Sequence, residues 1–176
     1  RLYSAHPKAI ALDVLFDQPT EPAKDKAMEN AIHNAKSPLV IAYTEEAVNV
    51  TPRQLAYLRA YVPPKMRFIP DLPHDGSGIT RNIYPGIRES DGHYYMSFER
   101  ALAEDYGVRT ADDSVTIRWP KAPKDQIYDF FEIPSQVINA YPTPMFNLLG
   151  PALLKDKIVI VGSDLTLIDR HRTPLT

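Results

Sequence analysis

Cysteine is absent from the sequence. That excludes disulfides, thiolate zinc sites and thiol nucleophiles, and it is compatible with an oxidising compartment. Long apolar runs are absent as well. Nothing approaches the roughly 18 consecutive apolar residues that suggest a membrane-crossing helix, and no signal-peptide pattern is visible. Charge of one sign is not in excess. The formal net charge is −2, and like charges never cluster beyond a few residues, so nucleic acid and anionic membrane surfaces have no electrostatic footprint here. Glycine is scarce, 7 residues in 176, and the glycines build no phosphate loop: neither G-x-x-x-x-G-K nor G-x-G-x-x-G occurs. Gly162-Ser163-Asp164 lacks the second glycine of a nucleophile elbow. Ser163 would need a histidine base, and of the five histidines only His171 lies near it in sequence.

What is present describes an ordinary folded domain. Hydrophobic residues make up 44% and charged residues 24%, which are globular values, and the length suits a single domain over residues 1–176. Seventeen prolines predict long, stiffened loops. The run Ile158-Val159-Ile160-Val161 is apolar on both faces, which is how a buried central parallel strand reads. The expectation is a sheet built around it, with the chemistry just beyond, because ligands of open α/β sheets collect past the carboxyl ends of the strands.

A second run, Lys8 to Phe16, ends before Asp17-Gln18-Pro19 and predicts another strand, interrupted by Asp13. From Asp25, read as the N-cap, apolar residues at Ala27, Met28, Ala31, Ile32 and Ala35 keep helical spacing until Ser37-Pro38. Leu39 to Tyr43 then reads as a strand, completing a βαβ unit. Thr51-Pro52-Arg53-Gln54 spells a capping box with proline at the first helical position, and Pro63-Pro64 ends that helix. Met66 to Ile69 predicts a short strand, and Ile79 to Ile87 a strand region broken by Pro85-Gly86. Ser97 to Tyr106 predicts a helix closed by Gly107. Ser114 to Trp119 alternates like an edge strand, and Pro134 to Ala140 suits a short helix. Tyr141 to Pro144 reads as a proline-rich link. The fold class is thus α/β: a predominantly parallel or mixed central sheet with helices on both faces, plus an antiparallel or irregular edge region.

Asp13 and Asp17 follow a strand but stand four apart, which is poor spacing for phospho-aspartyl chemistry. Asp164, Asp169 and His171 are metal-compatible ligand types, yet no dense acidic spacing supports a metal, and loop hydrogen bonds explain them equally well. No cofactor is expected.

Several stretches, taken in order, resemble a known family. They are Pro7 to Phe16, the helix opened near Asp25, Asp75-Gly76-x-x-x-x-Arg81, Leu154 to Ser163, and Asp169-x-x-x-Thr173-Pro174. Together they look like the second CHASE family, extracytoplasmic sensory domains of bacterial membrane receptors. The resemblance implies a non-catalytic domain on the outer side of the cell membrane (periplasmic or extracellular), flanked by transmembrane helices outside this sequence. The parent would be an adenylate or guanylate cyclase, a histidine kinase of a two-component system, a diguanylate cyclase or a Ser/Thr kinase, responding to an unknown small-molecule or physical stimulus. Family members begin with an earlier strand and helix. The start at Arg1 therefore suggests an excised fragment lacking them, and an exposed sheet edge that favours a homodimer. Ile127 to Pro151 matches little of the family pattern. The ligand-binding candidates are Asp13, Asp17, Arg81, Ser163, Asp164 and Asp169, with Arg81 as partner to an acid or an anionic ligand. The rival expectation is a small metal-dependent α/β hydrolase using Asp13, Asp164 and His171 on a phosphate or sugar substrate. A third is a dimerisation spacer that senses nothing.

Overall fold

A computed structural model of the chain describes residues 1–45, 50–110, 112–117 and 135–163. In chain order its elements are β1 (Ala9–Asp13), α1 (Pro22–His33), β2 (Leu39–Ala42), α2 (Pro52–Tyr61), β3 (Arg67–Phe68), β4 (Asn82–Ile83), β5 (Gly86–Arg88), β6 (Tyr94–Met96), α3 (Phe98–Tyr106), β7 (Val115–Thr116), α4 (Ser135–Ala140), α5 (Thr143–Leu154) and β8 (Ile158–Gly162). The main sheet has four strands in the order β3-β2-β1-β8, and every pairing within it is parallel. Two small antiparallel pairs, β4 with β7 and β5 with β6, form separate sheets. The α/β class and the irregular flank are as the sequence predicts.

The two faces of the sheet differ in side-chain size, and this decides what covers each. Ile10 and Leu12 of β1 share a face with Leu39 and Ile41 of β2. That face packs against Ile32 of α1 and Leu58 of α2. The opposite face is made of small residues, Ala9 and Ala11 from β1 and Ala42 from β2, together with Val40. Phe98, Ala101 and Leu102 of α3 fill the space the alanines leave. Burying each large aliphatic side chain contributes about 1.5–3 kcal/mol, so these two layers hold β1 and β2 firmly from both sides.

The central position belongs to β1 and β2, not to Ile158–Val161 as the sequence suggests. β8 pairs with β1 along its whole length and, among the described residues, forms the edge of the sheet. Val159 packs beside Phe146 and Leu154 of α5. On the other face α3 lies over β1 and β2, and Ile160 is left 57% exposed. An apolar run with β-branched residues reads the same at a sheet's centre or at its edge, so periodicity could not separate the two.

Local signals otherwise translate directly. Thr51 and Gln54 form the reciprocal capping box. Ser97 caps α3, and Gly107 closes it with φ +97°, a left-handed conformation suited to glycine. Asp25 is not the N-cap of α1. Pro22 starts that helix one turn earlier, with Glu21 at the cap, and Asp25 instead accepts hydrogen bonds from the Thr20 amide and hydroxyl. The proline-rich link is in fact the opening of α5, where prolines occupy the N-cap and the first turn. Trp119, the tyrosine- and phenylalanine-rich segment 127–133, and residues 164–176 lie outside the described residues.

Leu58 is fully buried and Leu148 is 77% exposed. Urea unfolding of Leu58→Ala should show a loss of about 3 kcal/mol, whereas Leu148→Ala should stay within about 0.5 kcal/mol of wild type. Equal losses would mean that this assignment of core and surface is wrong.

Candidate functional site

The strand order fixes where a site can form. From β1 the chain steps through α1 to β2 and through α2 to β3, always in one direction, while β8 lies on the other side of β1. The order therefore reverses between β1 and β8. In open parallel sheets such a reversal opens a crevice beyond the carboxyl ends of the strands.

Asp13 is the last residue of β1 and pairs in register with Gly162 of β8. Its side chain leans toward β8, so that a Cβ built on Gly162 would sit 3.8 Å from the Asp13 Oδ2. Ser163 follows immediately and is exposed. The structure thus brings Asp13 and the Ser163 exit together. Asp13 is itself exposed, so the burial cost of a carboxylate inside a strand does not arise.

Two further acids, Glu99 and Asp71, belong to this edge and are not legible as site residues in the sequence. Glu99 lies in the first turn of α3. The backbone ties that turn to the end of β3, since the Phe98 N–H donates to the Ile69 carbonyl at 2.8 Å. Asp71 follows two residues after Ile69. Glu99 Oε2 is buried and has no hydrogen-bond partner among the described residues. Burial pushes the Glu99 carboxyl above the usual range, and the charges of Asp13 and Asp71 push it further. Its own backbone N–H and the Ser97 hydroxyl counter this only in part. In sequence, an acid in a first helical turn looks like a helix-dipole partner, and nothing there signals burial.

A second polar network is built around β2 and is satisfied internally. The Tyr43 hydroxyl donates to Glu45. Arg59 of α2 donates to both oxygens of the same carboxylate, with Nε 2.9 Å from Oε2 and 3.1 Å from Oε1. Burial raises the Glu45 carboxyl, but the Arg59 and Tyr43 hydrogen bonds outweigh it and leave the group below its ordinary range. Burial and the Glu45 hydrogen bond push the Tyr43 phenol upward. The Arg67 guanidinium lies 4.7 Å from the centre of the Tyr43 ring, and Tyr95 packs against the same ring at 5.4 Å. These groups join β2 to α2 and to the β5–β6 hairpin, and their bonding capacity is spent on one another.

The remaining sequence candidates are engaged locally. Asp17 accepts from Gln54 Nε2 at 2.6 Å, which ties the loop after β1 to the start of α2. Arg81 forms an ion pair with Asp75, whose other oxygen accepts the Ser77 and Ile79 amides at 2.8 and 3.1 Å. The Asp75-to-Arg81 motif is therefore a self-bonded turn. Asp164, Asp169 and His171 lie outside the described residues. Among the described residues no group of three or more His, Cys, Asp or Glu side chains could hold a metal ion.

A family model described as the CHASE2 domain matches residues 1–176. No curated protein and no solved structure matches the chain.

Glu99 gives a pH test. Its folded pKa is raised, so its contribution to stability is present below the ordinary carboxyl pKa of about 4.3 and is lost as pH rises through the folded value. Relative to Glu99→Gln, the wild type should lose stability as pH rises above the ordinary carboxyl range, measured as urea midpoints. A difference that stays flat as pH rises would show that the fold does not hold this carboxyl neutral.

Proposed function

This chain belongs to the CHASE2 family of extracytoplasmic sensor domains, and from that premise we propose that it receives the stimulus for a bacterial membrane receptor. The single observation that carries this reading is the family match over residues 1–176. In this reading the parent chain places the domain on the periplasmic or extracellular side, between transmembrane helices, and couples it to a cytoplasmic output such as an adenylate cyclase or a histidine kinase. No helix among the described residues is long and apolar enough to cross a membrane.

The receiving site in this proposal is the crevice at the β1–β8 reversal, with Asp13 and Ser163 as the contacts from the sheet; Asp164 and Asp169 remain candidates by sequence alone. A ligand shifts a receptor only by binding its two states unequally. A site that touches the ends of two adjacent strands is suited to that, because it reads their relative position.

Thermal-shift screening of the chain against a metabolite library tests the proposal. A ligand present at 100 times its dissociation constant should add roughly 2.7 kcal/mol, and Asp13→Asn should abolish the gain without unfolding the chain. Metal-dependent turnover of a generic phosphoester, lost in Asp13→Asn, would overturn the sensor reading in favour of a hydrolase.

A further inference from the structure

Among the described residues, two other than glycine hold a left-handed backbone, and they are hydrogen-bonded to each other. They are His6, with φ 53° and ψ 49°, and Asp156, with φ 60°. A positive φ is unfavourable for a residue with a Cβ, and glycine escapes the penalty. Asp and His tolerate it better than most. Each of the two stands at the entry to a strand, His6 ahead of β1 and Asp156 ahead of β8.

The local sequence explains why both are strained. Leu154 to Lys157 forms a type II turn. Lys155 has φ −57° and ψ 133°, Asp156 follows at positive φ, and the Lys157 N–H donates to the Leu154 carbonyl at 3.2 Å. The third position of such a turn favours glycine or asparagine. His6 follows the 3-10 turn Leu2–Ala5 and donates its N–H to the Tyr3 carbonyl. Pro7 comes next, and proline biases the residue before it toward extended backbone. His6 is therefore held against two preferences. Backbone bonds between the two strand entries hold it there. The Asp156 N–H donates to the His6 carbonyl at 3.1 Å, and the Lys8 N–H donates to the Lys157 carbonyl at 2.9 Å.

These bonds join strands of unequal support. β1 and β2 are buried between α1 and α2 on one face and α3 on the other. β8 contributes Val159 to a smaller cluster with Ala5, Phe146 and Leu154, and its Ile160 is 57% exposed. Backbone strain persists only where the surrounding structure over-determines it, and it gathers at switch regions. We propose that His6 and Asp156 form a strained clasp, and that its release lets β8 change position against β1 while β1 and β2 stay packed. Once the Asp156 N–H leaves the His6 carbonyl, both residues can return to ordinary backbone. The strain they give up offsets part of the hydrogen bonding that is lost. β8 runs from the clasp to Gly162, which pairs with Asp13, so a movement released at one end of the strand reaches the other. The clasp is a property of the backbone and stands whether or not the domain receives a stimulus.

Native-state hydrogen exchange of the chain, read amide by amide at low urea and constant pH, tests the clasp. In the wild type the β8 amides of Ile158–Gly162 should exchange through a local opening that urea barely affects, while Val40 and Ile41 exchange only on global unfolding. Asp156→Gly should raise the protection of the β8 amides and Asp156→Ala should lower it, the two variants differing on the order of fivefold. His6→Gly and His6→Ala should do the same. Both positions are exposed, so the variants should fold. Two results would overturn the proposal: β8 amides whose exchange follows urea as steeply as that of Val40 and Ile41, or a local opening of β8 that these substitutions leave unchanged or shift in the opposite direction.

Discussion

The interaction on which the rest depends is the parallel pairing of β1 with strands on both sides. β1 is the only strand of the main sheet whose neighbours come from opposite halves of the chain, β2 at Leu39–Ala42 and β8 at Ile158–Gly162. Its side chains alternate between large and small. Ile10 and Leu12 meet helices that bring Ile32, Leu58, Met28 and Tyr61 to the same cluster, and Ala9 and Ala11 let Phe98 of α3 come close. Replacing an alanine there with a larger residue would push α3 away, and well-packed cores accept such additions only at a cost of about 1–3 kcal/mol. The register that pairs Asp13 with Gly162 also follows from this strand, so the geometry of the reversal crevice is a consequence of core packing rather than a separate feature.

The acids beyond that crevice carry an electrostatic cost that the fold does not relieve locally. Glu45 is buried but has Arg59 and Tyr43. Glu99 has only its own first-turn amide and Ser97 as helpers, against two neighbouring carboxylates. A buried carboxyl in such company keeps its proton to higher pH. Perturbed groups of this kind gather at functional sites more often than elsewhere, although ordinary structural networks produce them too. The contrast between the two glutamates separates the networks: the one at β2 is closed, and Glu99 Oε2 has no hydrogen-bond partner among the described residues.

Much of this was legible where a residue's local chemistry has one outcome. The Thr51–Gln54 capping box, the Ser97 cap, Gly107 and the βαβ unit from β1 to β2 could be read because each depends on neighbours in sequence. Asp13 could be singled out because an acid breaks an apolar run. Helix α5 could not, since Met145, Leu148, Leu149 and Leu153 leave its outer side as apolar as the side that buries Phe146 and Leu154. Without a polar face the periodicity vanishes, and Pro144, Gly150 and Pro151 imitate a loop. The edge position of β8 and the burial of Glu99 are set by contacts between distant segments, and neither leaves a local trace. Arg81 was expected to partner an acid or an anionic ligand, and the structure gives it an acid, Asp75, six residues upstream.

The unequal support of the strands bears on how such a domain could change state. β1 and β2 are covered on both faces, so displacing either would expose apolar surface to water on two sides at once. β8 is paired along one edge only, and its Ile160 already faces solvent. The elements that move in switching come from the low-stability end of a structure, where buried apolar contacts are few. A shift of β8 along β1 therefore sacrifices less than a displacement of β1 or β2. The same shift alters the Asp13–Gly162 register at one end and the contact between His6 and Asp156 at the other. One strand thus links the carboxyl end of the sheet to its amino end.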